Sequence, residues 1–247
     1  MFYVERKDMR VLVVQTTSTR IMHAHLKAGE RPSETVEMYL QTVYRLRENE
    51  GVARTSAIAQ SLSISMGAVT NTLTSLEGQG LVRRKAYRGV ELTASGEAIA
   101  LRVLRKHRLA ERLLTEVLGM KWSEVHEVAC RLEHAITDNV VEALERLLKN
   151  PRTCPHGNPI PDATGKFRQA NAEPLTMLKP AQEAVLVSIA SETGALLRYL
   201  ASLRLIPGVR LEVEEKAPFN GPVMVKVRGS RYALGQQVAS LIKVRRI

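Results

Sequence analysis

Residues 55–93 read TSAIAQSLSISMGAVTNTLTSLEGQGLVRRKAYRGVELT, and this stretch decides the fold of the N-terminal part of the chain. Apolar residues recur at helical spacing on both sides of residues 63–65, which predicts two helices joined by a tight turn. Two short β-prone runs follow and meet at Arg88 and Gly89, where glycine can supply a positive φ. This order predicts a winged helix-turn-helix, whose second helix enters the major groove of DNA while the hairpin follows the phosphates.

The predicted second helix and hairpin carry side chains suited to contact with DNA. Small polar groups lie opposite the apolar face of the helix, where they can reach base edges and phosphates. From residue 81 to residue 112 there are nine Lys or Arg against three Asp or Glu, a local excess of positive charge that suits a phosphate-facing surface. A structural helical hairpin, which is the alternative, does not account for this charge. The candidate DNA-binding residues are Ser65, Ala68, Thr70, Asn71, Thr74, Arg83, Arg84, Lys85 and Arg88.

The composition is that of a folded and basic protein. Its 247 residues are enough for two or three compact units, and 45% hydrophobic with 25% charged residues is an ordinary globular balance. The formal net charge of +11 favours a polyanionic partner such as nucleic acid or an acidic membrane surface. No apolar run approaches the roughly 18 residues that span a bilayer, so we expect no membrane partner. With two cysteines and no recognisable export signal, a reducing cytoplasm is the expected location.

Changes along the sequence predict five segments and a fold that is mainly α with small β parts. A helical stripe follows Ser33, a long helix is expected from Thr93 or Ser95 to Gly119, and another from Ser123 to Ala135. A proline-rich loop then leads to short strands typical of a small barrel, predicted at 184–189, 209–213, 223–227 and 241–244 around a helix at 196–203. The segments are an N-terminal extension (1–32), the winged helix-turn-helix (33–101), a helical metal-binding and dimerisation domain (102–165), a linker (166–173) and a β-barrel domain (174–247).

The segment HEVACRLEH, residues 126–134, has the residue types of a metal site. On a helix, His126, Cys130 and His134 share one stripe, and Glu133 lies beside it. Imidazole, thiolate and carboxylate groups this close can coordinate a first-row divalent metal, whereas a cluster without a second nearby cysteine does not resemble a zinc finger. The alternative is a packed helix that holds no metal.

Other elements must supply further ligands, because one helix rarely closes a coordination sphere. His107 and Glu111 form an i, i+4 pair on the preceding helix, and Met38 on the first helix is a candidate soft ligand. If Met38 joins Cys130, Glu133 and His134, the metal connects the DNA-binding domain to the following helices. Its occupancy can then shift the protein toward a DNA-competent form.

Four segments of the sequence resemble the diphtheria toxin repressor family, the iron-dependent regulators of bacteria and archaea. These segments are ETVEMYLQTVYRL (34–46), RKHRLAERLLTEVLG (105–119), VHEVACRLEHAITD (125–138) and GNPIP (157–161). The resemblance covers roughly residues 33–162, and both the ligand types and their helical spacing coincide with the family pattern. It implies a homodimer that binds double-stranded operator DNA.

The resemblance also implies two metal sites. The primary activating site consists of Met38, Cys130, Glu133 and His134, and the ancillary site of His107, Glu111 and His126. In the family an anion can lie beside the ancillary metal, held by an arginine and an asparagine that match Arg108 and Asn158, and Cys154 replaces the serine that assists them.

The longer members of the family carry a C-terminal SH3-like domain of the FeoA type, which residues 174–247 resemble. In those members this domain donates an acid and a glutamine to the ancillary site. Glu192 is the best match for the acid, whereas Ala195 replaces the glutamine. The resemblance therefore implies a ligand from the C-terminal domain, Glu192.

The soft ligands Met38 and Cys130 favour Fe(II), because manganese-preferring members replace them with harder carboxylates. We therefore expect an Fe(II)-activated repressor of iron homeostasis genes, with no catalytic residues and no small-molecule substrate. Co, Ni and Zn ions are expected to substitute in vitro. The alternatives are a manganese-responsive regulator of metal transport genes, a metal-independent winged-helix regulator and a mononuclear iron enzyme. An enzyme would leave the helix-turn-helix unexplained.

Overall fold

The computed structural model describes residues 32–85, 88–167 and 171–247, which form three units with separate hydrophobic cores. The predicted N-terminal extension lies outside the described residues as far as residue 31. Within the described ranges, no helix combines the length and the apolar character needed to cross a membrane.

The first unit is a winged helix-turn-helix. Its elements are α1 (Glu34–Glu50), α2 (Thr55–Leu62), α3 (Met66–Gly78), β1 (Val82–Lys85) and β2 (Gly89–Leu92). Ser33 begins α1 by accepting a hydrogen bond from the Val36 amide, and Gly51 ends it with a left-handed φ of 75°. The two strands pair antiparallel to form the wing. The largest fully buried side chains of this unit are Leu40, Ile58, Leu73 and Leu76.

The second unit is helical and contains α4 (Ala94–Arg112), α5 (Val125–Leu132) and α6 (Asp138–Leu147). Thr93 caps α4 by accepting a hydrogen bond from the Gly96 amide at 3.1 Å. After α4 the helix continues as a π-helical turn (Leu113–Val117). Gly119, whose φ is 66°, follows the end of this turn. Since α4 packs on both α1 and α5, it is the element that joins the first unit to the second.

The third unit is a six-stranded antiparallel sheet with two short helices. Along the chain it contains β3 (Glu173–Pro174), β4 (Gln182–Ile189), α7 (Gly194–Ser202), β5 (Arg210–Lys216), β6 (Val223–Val227), β7 (Ser230–Leu234), α8 (Gln236–Leu241) and β8 (Ile242–Arg246). The strand order is β3-β8-β4-β5-β6-β7, and the register shifts after Leu186 and after Val213. Such bulges bend the strands, as the curvature of a small barrel requires.

The predicted fold class is confirmed: a winged helix-turn-helix, a helical domain and a small C-terminal β unit follow one another. Some local details differ. Threonine often caps a helix, and Thr55 is the residue expected to cap α2, but it is the first residue of the helix and Arg54 holds the capping position. The helix expected from Ser123 begins at Val125, because the Glu124 amide donates to the Lys121 carbonyl and closes a turn first.

Three short elements of the C-terminal unit were not predicted. Strand β3 has two residues and α8 six, too few to show a clear hydrophobic period. Strand β7, SRYAL, buries only Leu234, so its sequence has no alternation of apolar and polar residues. The long helix expected to reach Gly119 is α-helical only to Arg112. Its apolar spacing persists through the π turn, which is why the sequence pattern did not reveal the change.

We predict that Gly96→Ala destabilises the protein by roughly 1–3 kcal/mol, the usual cost of overpacking. A Cβ at this position would lie 2.0 Å from the Leu81 carbonyl oxygen, so α4 would have to move away from the wing. Gly78→Ala is the matched control, since its Cβ would meet nothing within 4 Å and alanine favours the helix. Urea unfolding followed by circular dichroism measures both, and equal midpoints for the two variants would contradict the prediction.

Candidate metal centre and DNA interface

His107 lies at the centre of a buried polar cluster. Its side chain is fully buried, with Nε2 2.9 Å from Glu111 Oε1 and 3.2 Å from His126 Nδ1. His126 Nδ1 is also 3.3 Å from Glu111 Oε1 and 3.4 Å from Glu192 Oε2. Each of the four residues can offer one ligand atom, and these atoms lie within 4.8 Å of one another. The structure thus brings together the whole set expected for the ancillary site.

All three units of the chain meet at this cluster. His107 and Glu111 are one turn apart on α4, so they share a face, and His126 is at the start of α5. Glu192 follows β4 and is held by Asn158 Nδ2, which donates to its Oε1 at 2.7 Å. From α1, Arg45 NH1 approaches Glu192 Oε2 to 3.8 Å. The Glu192 carboxylate therefore contacts polar side chains of both the helical unit and the winged-helix unit.

Cys154 and His156 form the other side of the same cluster. His156 Nδ1 is 3.2 Å from Glu111 Oε1 and 3.6 Å from Glu192 Oε1. Cys154 Sγ lies 3.8 Å from Glu192 Oε1 and 4.0 Å from His156 Nδ1. Sequence reasoning assigned no metal role to either residue. The signal that could have indicated one is a cysteine and a histidine two residues apart in a proline-rich loop.

The residues expected in the primary site do not form one compact group. Cys130 Sγ faces the ancillary cluster, 3.7 Å from His126 Nε2 and 4.0 Å from His107 Nδ1. Glu133 Oε2 is 2.5 Å from His107 Nδ1 and accepts a hydrogen bond from Gln41 Nε2 at 3.3 Å. Cys130 and Glu133 therefore border His107, which was assigned to the other site.

His134 lies on the α1 side of the site. Its Nδ1 is 2.7 Å from Glu37 Oε2, and its Nε2 is 3.4 Å from Glu133 Oε1. Met38 follows Glu37 in α1 and is 36% exposed. The structure thus brings His134 to α1 as expected, but its partner there is Glu37, which sequence reasoning did not single out.

Burial and mutual charge shift the pKa values in the cluster. Burial lowers the pKa of His107, but the Glu111 carboxylate and further hydrogen bonds outweigh this and raise it well above its usual range. Burial raises the pKa of Glu111, yet three histidines surround the carboxylate and lower it overall. Glu111 Oε2 is buried without a hydrogen-bond partner among the described residues. The cluster thus requires positive charge, which protons or a metal cation can supply.

The two residues expected to hold an anion have protein partners. Arg108 NH1 donates to the Pro159 carbonyl, and NH2 lies 3.9 Å from Glu48 Oε2. Asn158 Nδ2 donates to the Ile189 carbonyl at 3.0 Å in addition to Glu192. An anion role for Arg108 and Asn158 therefore stays a prediction.

The candidate DNA surface is exposed as a DNA-binding surface must be. Within α3, Ala68, Thr70, Asn71 and Thr74 are exposed, whereas Ser65 caps the helix by accepting from the Ala68 amide at 3.2 Å. The hydroxyls of Thr70 and Thr74 donate to carbonyls one turn earlier, at 2.9 Å each. These hydroxyl oxygens keep the capacity to accept a further hydrogen bond.

The wing residues Arg83, Arg84, Lys85 and Arg88 are also exposed. Arg84 NH2 pairs with Glu77 of α3 at 2.7 Å, which fixes the wing against the recognition helix. Lys85 pairs with Glu91 across the hairpin, also at 2.7 Å. A phosphate that binds either cation must compete with its carboxylate partner.

Comparison with known protein families assigns most of the chain. Residues 32–90 match the iron dependent repressor N-terminal DNA binding domain, and residues 93–162 match the iron dependent repressor metal binding and dimerisation domain. Residues 173–246 match the FeoA domain.

Individual proteins give the same result. The iron-dependent repressor IdeR of Mycobacterium tuberculosis is 37% identical over 227 residues, which cover 87% of this chain and 98% of IdeR. The diphtheria toxin repressor of Corynebacterium diphtheriae is 45% identical over 129 residues, 52% of this chain and 57% of its own. The crystal structure of IdeR from T. acidophilum has a TM-score of 0.77 at 31% identity, covering 85% of this chain and 97% of that one.

A winged helix-turn-helix joined to a helical unit with a buried cluster of metal-ligand residues defines a metal-dependent transcription regulator. Together with the matches over all three units, this places the chain in the iron-dependent repressor family, in the long form with a C-terminal FeoA domain.

We predict that a thiol reagent distinguishes the two cysteines in the metal-free protein. Burial raises the pKa of the Cys130 thiol, but contacts with His107 and His126 outweigh it and lower the pKa from 9.0 to about 6. Burial raises the pKa of the Cys154 thiol to about 11, so it stays protonated.

The measurement is iodoacetamide labelling in the presence of a chelator, read by peptide mass spectrometry across a pH series. Labelling of Cys130 should rise through pH 6 and level off below pH 8, with Cys154 unlabelled, because only the thiolate reacts. A rate at Cys130 that keeps rising up to pH 9 would show that its thiol is not activated.

Proposed function

We propose that this protein is a repressor that divalent metal activates, with Fe(II) as the physiological ion, and that it binds operator DNA as a homodimer to control iron homeostasis genes. The observation that carries the proposal is the buried cluster at which α1 of the winged helix, the helical unit and Glu192 meet. An ion bound by these side chains would join the helical unit to Glu192, whose carboxylate also faces Arg45 of α1. Its binding can therefore change how the DNA-binding unit is held.

The donor set fits a divalent metal. The proposed ancillary ligands, His107, Glu111, His126 and Glu192, offer two imidazoles and two carboxylates within 4.8 Å of one another. The partnerless Glu111 Oε2 is an unsatisfied buried acceptor, which a bound cation would satisfy. The bound metal supplies a fixed positive charge that can replace the protons of the cluster.

The proposed primary site, made of Met38, Cys130, Glu133 and His134, connects the metal to α1. Gln41 of α1 donates to Glu133 at 3.3 Å, and Glu37 of α1 contacts His134 at 2.7 Å. These contacts already tie α1 to the ligand-bearing end of α5. A metal that draws on Glu133 and His134 alters these contacts, so occupancy can bias the position of the winged helix.

The helical unit offers a surface for a second copy of the chain. Its exposed apolar side chains are Val117, Leu118, Val140 and Leu147. Apolar groups of this kind are costly to leave in water, and pairing two copies would bury them. A two-fold dimer presents two recognition helices to two half-sites, as helix-turn-helix repressors require.

Manganese is the alternative activator. A solved structure titled manganese-dependent transcriptional repressor complex with manganese has a TM-score of 0.78 at 30% identity and covers 86% of this chain. The thiolate of Cys130 favours Fe(II) over Mn(II), because Mn(II) prefers harder oxygen ligands. Co(II), Ni(II) and Zn(II) are expected to replace Fe(II) in vitro. The relatives are named as repressors, so we propose no enzymatic activity and no small-molecule substrate.

On DNA, we propose that exposed residues of α3 read base edges while the wing contacts phosphates. Ala68, Asn71 and the hydroxyls of Thr70 and Thr74 face outward on one side of α3, and Ser65 lies at its N-terminus. Arg108 and Asn158 are proposed to hold an anion beside the ancillary metal, and Arg108 Nε is buried without a partner among the described residues.

We predict that Glu133→Gln weakens metal-activated DNA binding at least about tenfold at limiting Fe(II), because it removes a carboxylate ligand from a buried position. Glu127→Gln, an exposed change on the same helix, is the matched control and should leave the metal dependence unchanged. Anaerobic titration of Fe(II) and then Mn(II), with a labelled promoter fragment, measures both variants.

Equal metal dependence in Glu133→Gln and the wild type would show that Glu133 is not a ligand of the activating site. If the wild type binds DNA equally tightly with a chelator present, the metal-activated function itself is wrong. A lower concentration of Mn(II) than of Fe(II) at half-activation would favour the manganese alternative.

A second prediction concerns the wing. Arg83→Ala should weaken DNA binding to all sequences and reduce the slope of log K against log salt by about 1, because one phosphate contact is lost. Arg231→Ala is the control, since it makes the same change in charge at an exposed site of the C-terminal unit. A salt slope that is the same for both variants would place Arg83 away from the phosphates.

A further inference from the structure

Four polar side chains of α1, spaced four residues apart, share the face of the helix that is turned to the cluster and to the C-terminal unit. They are Glu37, Gln41, Arg45 and Asn49. The first two contact ligand-type residues at the end of α5, and the last donates to the Ala190 carbonyl at 3.0 Å. Arg45 is the cation of this stripe, so a positive charge of the winged-helix unit lies beside the cluster.

The guanidinium of Arg45 is only partly satisfied. Its NH1 lies 3.8 Å from Glu192 Oε2, which is beyond hydrogen-bond distance. Its NH2 is buried and has no hydrogen-bond partner in the part of the chain that the structure describes. The Glu192 side chain is 7% exposed, so little water screens the attraction between the two groups. Charge, and not a hydrogen bond, therefore holds Arg45 next to Glu192.

The oxygen of Glu192 that faces Arg45 is also the one that faces the proposed ancillary site. Glu192 Oε2 is 3.4 Å from His126 Nδ1 and 3.9 Å from His107 Nε2. The other oxygen, Oε1, accepts the hydrogen bond from Asn158 at 2.7 Å. A cation that binds the two imidazoles would approach the same oxygen as Arg45 does.

The positive charge of Arg45 cannot be released when a cation enters. Histidines of the cluster can lose protons as a metal binds, whereas a guanidinium stays protonated in proteins. Burial lowers the pKa of Arg45, but nearby acidic groups outweigh it and raise the pKa overall. These groups are, with the largest effect first, Glu192, Cys130, Glu133 and Glu111. Four of the proposed metal ligands thus act on Arg45, which would attract the same ligands as a metal and repel the metal itself.

We propose that Arg45 is a positioning residue that competes with the activating metal for Glu192 and so sets the metal concentration at which the protein responds. In the metal-free protein, Arg45 supplies positive charge to Glu192 and keeps α1 next to the C-terminal unit. In the loaded protein, Arg45 either gives up Glu192 or stays beside a second cation, and both lower the affinity below what the ligands alone would give. The role of Arg45 rests on the proposed function and adds the regulation of its threshold.

An ion pair that only stabilises the fold would behave differently. Its removal would loosen the site and weaken metal binding, since the ligands would lose their fixed positions. The removal of a competitor strengthens metal binding. The sign of the change in affinity therefore separates the two roles.

The test is the affinity of the stripped full chain for Co(II), measured without DNA in competition with a fluorescent chelator. Arg45→Gln should tighten the binding of one Co(II) ion by at least about tenfold, because a like charge close to a buried site has an effect of this order. Arg47→Gln makes the same change in charge at an exposed position of α1 and is the matched control, with no change in affinity expected. Arg45→Lys keeps the charge and should remain close to the wild type.

A double-mutant cycle tests whether Arg45 acts through Glu192. In a Glu192→Gln background, the gain from Arg45→Gln should be smaller, because the carboxylate for which Arg45 competes is gone. An equal gain in both backgrounds would show that Arg45 does not compete for Glu192.

Hydrogen exchange of the metal-free protein gives an independent readout. Peptides that cover residues 189–194 should exchange faster in Arg45→Gln than in the wild type or Arg47→Gln, because Glu192 has lost a cationic neighbour. Bound Co(II) should remove this difference. Circular dichroism checks that the variants fold, and Arg45→Met, which keeps the apolar stem, replaces Arg45→Gln if the latter does not.

Unchanged or weaker Co(II) binding by the neutral variant overturns the proposal, as does an equal gain in Arg45→Lys. The proposed function fails in a different way. If the neutral variant binds Co(II) more tightly but wild-type DNA binding ignores a chelator, the role of Arg45 in metal binding stands and the metal-activated repressor does not.

Discussion

A fully buried carboxylate, that of Glu111, faces three imidazoles, and the candidate metal centre depends on this arrangement. A carboxylate cannot be buried without compensation, because desolvation of an isolated charge costs far more than a folded domain can supply. The compensating histidines come from α4, from α5 and from the loop that precedes the C-terminal sheet. The buried negative charge of one side chain is thus neutralised by elements far apart in the sequence, and a metal ion can neutralise the same charge.

The contacts of α1 show how this cluster could be coupled to the DNA-binding unit. Three side chains of this helix, Glu37, Gln41 and Arg45, contact His134, Glu133 and Glu192 respectively. The same helix packs against α2 inside the winged-helix core. The recognition helix therefore lies only two packed helices from the ligands. Coupling over this distance needs no separate pathway, since α1 belongs to both the core and the metal centre.

The sequence predicted the fold well where periodicity was long. The helix-turn-helix, the wing and the long α4 followed from spacing and caps. Strand β3 and helix α8 were too short to show a period, and β7 buries only one side chain, that of Leu234. His107, Glu111 and His126 could be grouped because helical spacing and family resemblance agree. The sequence did not predict that Cys154 and His156 lie in the cluster, because their position depends on how a loop docks on β4, which no local pattern encodes. The contact of Glu37 was not predicted, because its partner, His134, lies 97 residues away in the sequence.

The docking of the C-terminal sheet also bears on how fast a bound ion could be released. Glu192 is held by Asn158, the loop is bonded to Ile189, and Asn49 of α1 donates to the Ala190 carbonyl at 3.0 Å. These bonds close the centre on the side of the sheet. If an ion binds there, movement of the sheet would be one step in its release, so the opening of this unit would lengthen the time that the ion stays bound. A brief fall in external metal would then pass without a response, and a sustained one would be registered.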